Sequence, residues 1–345
     1  MQKAKKLLVG SMVLFTLFWV GAGEVDQRTF VNITKPGSGK TQGQTRAVRG
    51  VYLHSRTIDV NNTQDWINKL KENELNGVVI NVKNVSGEVT YDSEVQLAKS
   101  MGAVTGRLDL KEIIEKLHKN GIYVIARLTC FKDPVLAERC CGGGNWADPS
   151  SSVAQRYIID LAREVADFGF DEIQLDYIRY SDGPGEIGGN YEARSRLIAG
   201  FVEKMRQELP SQVSLSADVY GRTMWEWNAK NIDPIGQNLS YLDGPTDFLS
   251  PMIYPSHYTD PDLVYNPGKL IELSMESGME RVSGKFRPFI QGFDRAMPSD
   301  LNLVEYIQEE LRALEKVGVE GYLVWNPKSN YSALWQALEN REGRS

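Results

Sequence analysis

Gly169-Phe170-Asp171-Glu172-Ile173-Gln174-Leu175-Asp176-Tyr177-Ile178-Arg179-Tyr180 is the stretch that decides the fold. Ile173, Leu175 and Tyr177 alternate with Gln174 and Asp176, the period of two expected of a strand. A helical pattern leads into Gly169, and a Gly/Pro-rich loop, Ser181 to Asn190, follows Tyr180. Asp176 is therefore expected near the carboxyl end of a strand with a long loop beyond it. In a parallel α/β barrel that is the rim that carries chemistry.

Seven more strand-like runs lie at 48–53, 78–83, 122–128, 213–218, 247–254, 287–293 and 321–326, with helical patterns between them. Thr63 and Asp109 are expected to cap helices. Asn76-Gly77 and Asn120-Gly121 are expected to stop them. Val85 to Asp92 reads as a loop or small hairpin, and Asp233-Pro234 as the start of a short helix. The third strand runs into a long loop containing Cys140 to Gly144, Trp146 and Asp148-Pro149. Eight β-then-α units predict a (β/α)8 TIM barrel as a single domain over residues 48–340. The rival, a doubly wound open sheet, needs a glycine-rich phosphate turn after the first strand, and the sequence has none there.

The 345 residues leave room for one barrel of about 250 residues and an N-terminal extension. Residues 1–23 have the pattern of a signal peptide or N-terminal membrane anchor: Lys3, Lys5 and Lys6, then apolar Leu7 to Val20, then Gly21-Ala22-Gly23. A membrane tether would run through residues 7–23. Residues 24–47 read as a polar linker. The expected location is secreted or extracytoplasmic, with or without anchoring. The net charge of −6 includes the three leader lysines, so the body is more acidic still. Such a body is unsuited to tracking nucleic-acid phosphates. Cys130, Cys140 and Cys141 lack metal-finger spacing, and an odd count leaves at least one thiol over. A bridge from Cys130 to one of the pair is open.

Polar and aromatic residues gather where strands end, whereas the opposite loops are short. Glycosidic cleavage needs a proton donor and a carboxylate that serves as nucleophile or base. Asp176 and Asp218, on the fourth and fifth strands, are neighbours in a barrel and are the candidate catalytic pair. His54, Lys83, Arg127, Trp146, Tyr254, Gln291, Asp294 and Trp325 are the candidate substrate-binding residues, with Trp325 a floor on which the apolar face of a sugar could stack. Each has a plainer reading. Asp176 could be a buried ion pair with Arg127 or Arg179, Asp218 a turn residue before Gly221, Asp294 a turn cap and Trp325 core. Glu172, at the start of its strand, is expected away from the mouth, and Tyr177 and Tyr180 are expected to pack rather than touch substrate. With three His and no H-E-x-x-H, G-x-S-x-G or P-loop pattern, no metal or cofactor is expected.

Several of these segments occur together and in order. They are Arg127 with Phe131-Lys132-Asp133-Pro134, Trp146-Ala147-Asp148-Pro149, Gly169 to Tyr180, Ser216-Ala217-Asp218-Val219-Tyr220-Gly221, S-P-M-I-Y-P-S-H-Y from Ser250 to Tyr258, and Leu323-Val324-Trp325-Asn326-Pro327. Together, across Arg49 to Leu338, they resemble the glycoside hydrolase-like family called domain of unknown function 4015. The resemblance implies a TIM-barrel glycosidase-like fold in an exported bacterial protein. A more distant likeness, to the D-G-x-D-x-D-x-E strand of family 18 chitinases, fails at two places. Ile178 stands at the proton-donating Glu and Gln174 at the middle Asp. Asp176 instead resembles the fourth-strand nucleophile of α-glycosidase barrels. Within the closer family acidic residues are expected around Lys83, where this chain has Asn81 and Asn84. The expected function is an exported glycoside hydrolase acting on a poly- or oligosaccharide. Its rival is a non-catalytic carbohydrate-binding barrel at the cell surface.

Overall fold

The computed structural model describes residues 47–183 and 189–341. The expected leader and nearly all of the linker lie outside these residues. None of the described helices is long and apolar enough to cross a membrane.

Ten strands form one sheet: β1 (Arg49–Leu53), β2 (Gly77–Lys83), β3 (Val89–Tyr91), β4 (Val104–Leu108), β5 (Tyr123–Thr129), β6 (Glu172–Asp176), β7 (Ser214–Tyr220), β8 (Phe248–Met252), β9 (Phe289–Gln291) and β10 (Tyr322–Trp325). Eight of them run parallel in a closed ring, β1-β2-β5-β6-β7-β8-β9-β10, with β10 returning to β1. With helices alternating around it, this is the expected (β/α)8 barrel. The seam between β1 and β2 needs close backbone approach: a Cβ on Gly50 would stand 2.6 Å from the Gly77 carbonyl oxygen. Only glycine fits there without shifting the strands.

The alternation read in β6 separates two environments. Ile173 and Leu175 join the large apolar layer between sheet and helices. Glu172, Gln174 and Asp176, on the opposite parity, face the barrel interior. Tyr52, Val79, Ile125, Phe289 and Leu323 form a smaller cluster there. At the amino-terminal end Glu172 is fully buried, held by Arg287 at 2.5 Å and by the Tyr123 hydroxyl at 3.1 Å. It is a floor for the barrel, two pleats below the mouth.

Side-chain caps start several helices. Asp109 accepts from the Glu112 N–H at the start of Leu110–Lys119, and Ser151 from the Ala154 N–H at the start of Ser152–Asp167. Thr63 is not a cap but the first residue of its helix, Thr63–Glu72, following Asn62. Asp233-Pro234 opens a turn, and the short helix starts later, at Leu239–Leu242, capped by Asn238. The expected hairpin after β2 is present as β3, antiparallel to it. β4 was not foreseen, because the middle of Val104-Thr105-Gly106-Arg107-Leu108 is exposed and shows no apolar alternation. The long loop after β5 holds a helix, Pro134–Cys141, ending in a disulfide between Cys140 and Cys141. Cys130 is a buried free thiol, which removes it from the candidate bridge.

Candidate active site

The carboxyl ends of β5, β6 and β7 bring three ionisable groups together, Arg127, Asp176 and Asp218. Arg127, on β5, donates through Nε at 2.9 Å and Nη2 at 2.5 Å to Oδ2 of Asp176, the last residue of β6. Its Nη1 donates to Asn81 Oδ1 at 2.7 Å. The guanidinium lies 5.0 Å from the Trp325 ring and 5.6 Å from that of Tyr52, and these two rings stack with centroids 3.9 Å apart. Asp176 Oδ1 accepts from the Tyr177 N–H at 2.6 Å. Tyr177 itself is at φ +52°, a left-handed conformation uncommon for a bulky side chain.

Asp218 stands on the neighbouring strand. The register that sets Leu175 beside Ala217 places Asp176 beside Asp218. Asp218 is 1% exposed and its Oδ1 is buried with no hydrogen-bond partner. Burial, then the neighbouring Asp176 carboxylate, push its carboxyl well above the usual carboxylate range. A buried Asp218 with a raised pKa beside an ion-paired Asp176 is the asymmetry that acid–base chemistry uses.

Both aspartates line a cavity of ≈ 770 Å³ at the mouth, within the range of ligand sites. Arg127, Tyr254, Asp294 and Trp325 line it as well. Burial is the main cause that raises the Tyr254 phenol well above its usual range, with Asp218 and Asp176 adding to it. The phenol therefore stays a hydrogen-bond donor.

The other four candidates are not cavity walls. His54 follows β1 into a turn, where its Nδ1 accepts from the Arg56 N–H at 3.1 Å. Trp146 supports the wall from behind, with the Arg179 guanidinium 4.7 Å from its ring and the Tyr177 ring edge-on at 5.7 Å. Gln291 is fully buried: it accepts from the Ser256 N–H and donates to the carbonyls of Phe293 and Arg295. It fixes the loop that supplies cavity residues without facing the cavity.

Lys83 is the clearest correction. The register slips between Asn81 and Lys83, so Asn81 pairs with Arg127 but Lys83 with Leu128. This irregularity turns Lys83 out of the barrel. It is fully buried, paired with Asp133 at 2.6 Å and donating to the Thr129 carbonyl at 2.9 Å. Asp133 in turn caps the Pro134–Cys141 helix. Lys83→Ala is expected to cost about 3–5 kcal/mol by stranding a buried carboxylate. Urea unfolding would read this loss, with KM for any glycan unchanged.

Sequence reading missed Arg179, Tyr220, His257, Phe293, Arg295 and Lys328, all cavity walls, and Tyr177 lines it too rather than only packing. Three of them carry a signal in the sequence: His257 in S-P-M-I-Y-P-S-H-Y, Tyr220 in S-A-D-V-Y-G, and Arg179 beyond Asp176. Arg295 and Lys328 carry no such signal. Among the described residues no group of three His, Cys, Asp or Glu could hold a metal ion.

Fold and mouth together define the class: a (β/α)8 barrel with a polar cavity at the carboxyl ends of its strands. The profile described as "putative glycosyl hydrolase domain", domain of unknown function 4015, matches residues 50–331, and the chain belongs to that family. No curated protein matches it. Among solved structures it is similar to the PgaB (BpsB) glycoside hydrolase domain from Bordetella bronchiseptica, with TM-score 0.63 and 14% identity over 85% of this chain and 98% of that one. It is similar also to an endo-1,4-beta-mannanase from Rhizomucor miehei, with TM-score 0.60 and 14% identity over 88% and 96%. The spore cortex-lytic enzyme SleL of Bacillus cereus aligns with TM-score 0.54 and 13% identity over 85% and 74%. At these identities the likeness is one of fold.

Proposed function

We propose that the chain is an exported glycoside hydrolase that cleaves a poly- or oligosaccharide with Asp176 as nucleophile and Asp218 as proton donor. The observation that carries this reading is the unequal pair at the mouth, with Asp176 held by Arg127 and Asp218 dry and without a partner for Oδ1. The leader pattern of residues 1–23 supports export.

Asp218 gives its proton to the glycosidic oxygen as the C–O bond breaks. Asp176 forms a bond to the anomeric carbon on the opposite face. Water then attacks that carbon, the Asp218 carboxylate takes the water's proton, and the sugar leaves Asp176. A carboxylate offers about four acceptor positions, so the contacts to Arg127 and Tyr177 leave a lone pair for attack. Adjacent strands lie about 4.8 Å apart. Carboxyl groups ~5 Å apart would retain configuration and groups ~6.5–9.5 Å apart would invert it. Trp325 offers the sugar a stacking surface, Tyr254 a hydroxyl donor and Asp294 an acceptor.

The test is release of reducing ends by the full chain across a panel of poly- and oligosaccharides, with kcat/KM followed from about pH 4 to 9. The donor must be protonated, so activity should persist past the ordinary carboxylate range and fall only as pH rises through the raised Asp218 value. Glycan binding with no released ends at any pH would leave a carbohydrate-binding barrel instead.

A further inference from the structure

The cavity that holds the aspartate pair is also lined by basic groups. Arg179 is 7% exposed and held between aromatic rings, with its guanidinium 4.7 Å from Trp146, 5.4 Å from Tyr177 and 5.3 Å from Tyr220. Among the described residues its paired carboxylate is Asp182, at 3.5 Å and itself 41% exposed. A guanidinium so placed is rigid and poorly neutralised, which suits it to an oxyanion. His257 lies beside it, its ring 4.9 Å from that of Tyr220. Burial, then Arg179, Arg222 and Arg295, push its imidazole down to about 4, so it is neutral and can donate one hydrogen bond. Arg222 is committed to Asp233 at 2.8 Å. Arg295 and Lys328 line the cavity, are exposed, and form no ion pair among the described residues.

The cavity walls carry four cations, Arg127, Arg179, Arg295 and Lys328, against three carboxyl groups. Even with all three ionised, the walls carry one more cation than carboxylate. The cavity is net positive in a protein whose net charge is −6. A neutral glycan makes no use of that excess, and a cationic one would be repelled by it.

We infer that the substrate is an anionic glycan, with Arg179 and Arg295 receiving a carboxylate or phosphate on the sugar while Lys328 adds charge at the rim. This inference rests on the glycosidase reading of the same cavity.

The test uses the full chain carrying Asp218→Asn, to stop turnover, and calorimetric titration with matched ligands. These are oligogalacturonates, their methyl esters, phosphorylated oligosaccharides and the neutral parents of those. The charged member of at least one pair should bind tenfold or more tighter than its neutral counterpart. The preference should shrink as salt rises and fall below about threefold in Arg179→Gln. Arg295→Gln, on an exposed loop, gives the same reading if Arg179→Gln does not fold. Tighter binding of the uronates would mean a carboxylate seat, and tighter binding of the phosphorylated sugars a phosphate seat; either supports the inference. Equal binding of charged and neutral members, or no binding by any charged member, overturns it. Wild-type cleavage of glycans without charge preference would remove this inference and keep the hydrolase. Charge-selective binding with no cleavage by the wild type would do the reverse.

Discussion

Asp218→Asn should abolish turnover and, at neutral pH, make the protein more stable. Loss of the proton donor is expected to cost roughly 10²–10⁴-fold in kcat on an unactivated glycoside. The stability gain comes from the same burial that tunes the acid. The folded-state pKa of Asp218 is raised, so above the unfolded value of about 3.9 the native state must hold a proton that the unfolded chain releases. Wild-type stability therefore falls as pH climbs from about 4 to the folded value, by about 1.4 kcal/mol for each unit between the two. Asparagine has the same shape and nothing to titrate, so the variant escapes that loss. Thermal unfolding at about pH 4 and pH 7 reads the effect: the two proteins should melt together in acid, with the variant higher at neutrality. A variant less stable at both would mean that the buried carboxyl is ionised and bonded in a way the structure does not have.

Asp176→Asn should be inactive as well, but for stability it should have the opposite sign. Arg127 is 4% exposed, and Asp176 is its carboxylate partner at 2.5 Å. Removing one charge of a buried pair leaves the other uncompensated, a cost of about 3–5 kcal/mol. The Tyr177 N–H also loses a charged acceptor in Oδ1. The double variant Arg127→Met/Asp176→Asn removes the stranded charge and should recover much of the stability while staying inactive. Urea unfolding of wild type, single and double variants, each with its turnover, separates the two roles of Asp176. Full stability in the single variant would show that the pair does not brace the mouth. Activity in the double variant would show that Asp176 is not the nucleophile.

The fold was legible because each strand divides its side chains between two environments. Ile173 and Leu175 meet the helices while Gln174 and Asp176 meet a polar lumen, and this contrast survives in the sequence even though all of β6 is buried. Position at the mouth was legible where residues end a regular strand: Arg127, Asp176, Asp218 and Trp325 all line the one cavity. Legibility failed where the backbone departs from regularity. Lys83 was expected to bind substrate from a strand end, but the irregularity between Asn81 and Lys83 turns it out of the barrel. Gln291 was placed at the mouth correctly, yet its amide is used up by three backbone partners. Arg295 and Lys328 come from loops, where no periodicity says which way a side chain points. The plainer reading of Asp176, an ion pair with Arg127, is present in the structure, and the paired carboxylate still borders open space.

Dependence on the leaving group tests the assignment of the two aspartates most directly. A dinitrophenolate departs without protonation, whereas a sugar hydroxyl needs an acid. On 2,4-dinitrophenyl glycosides of the preferred sugar, Asp218→Asn should keep bond cleavage near the wild-type rate while failing on the oligosaccharide. The stable Arg127→Met/Asp176→Asn protein should fail on both. Equal losses on the two substrates for Asp218→Asn, or cleavage of the aryl glycoside without Asp176, would contradict the account.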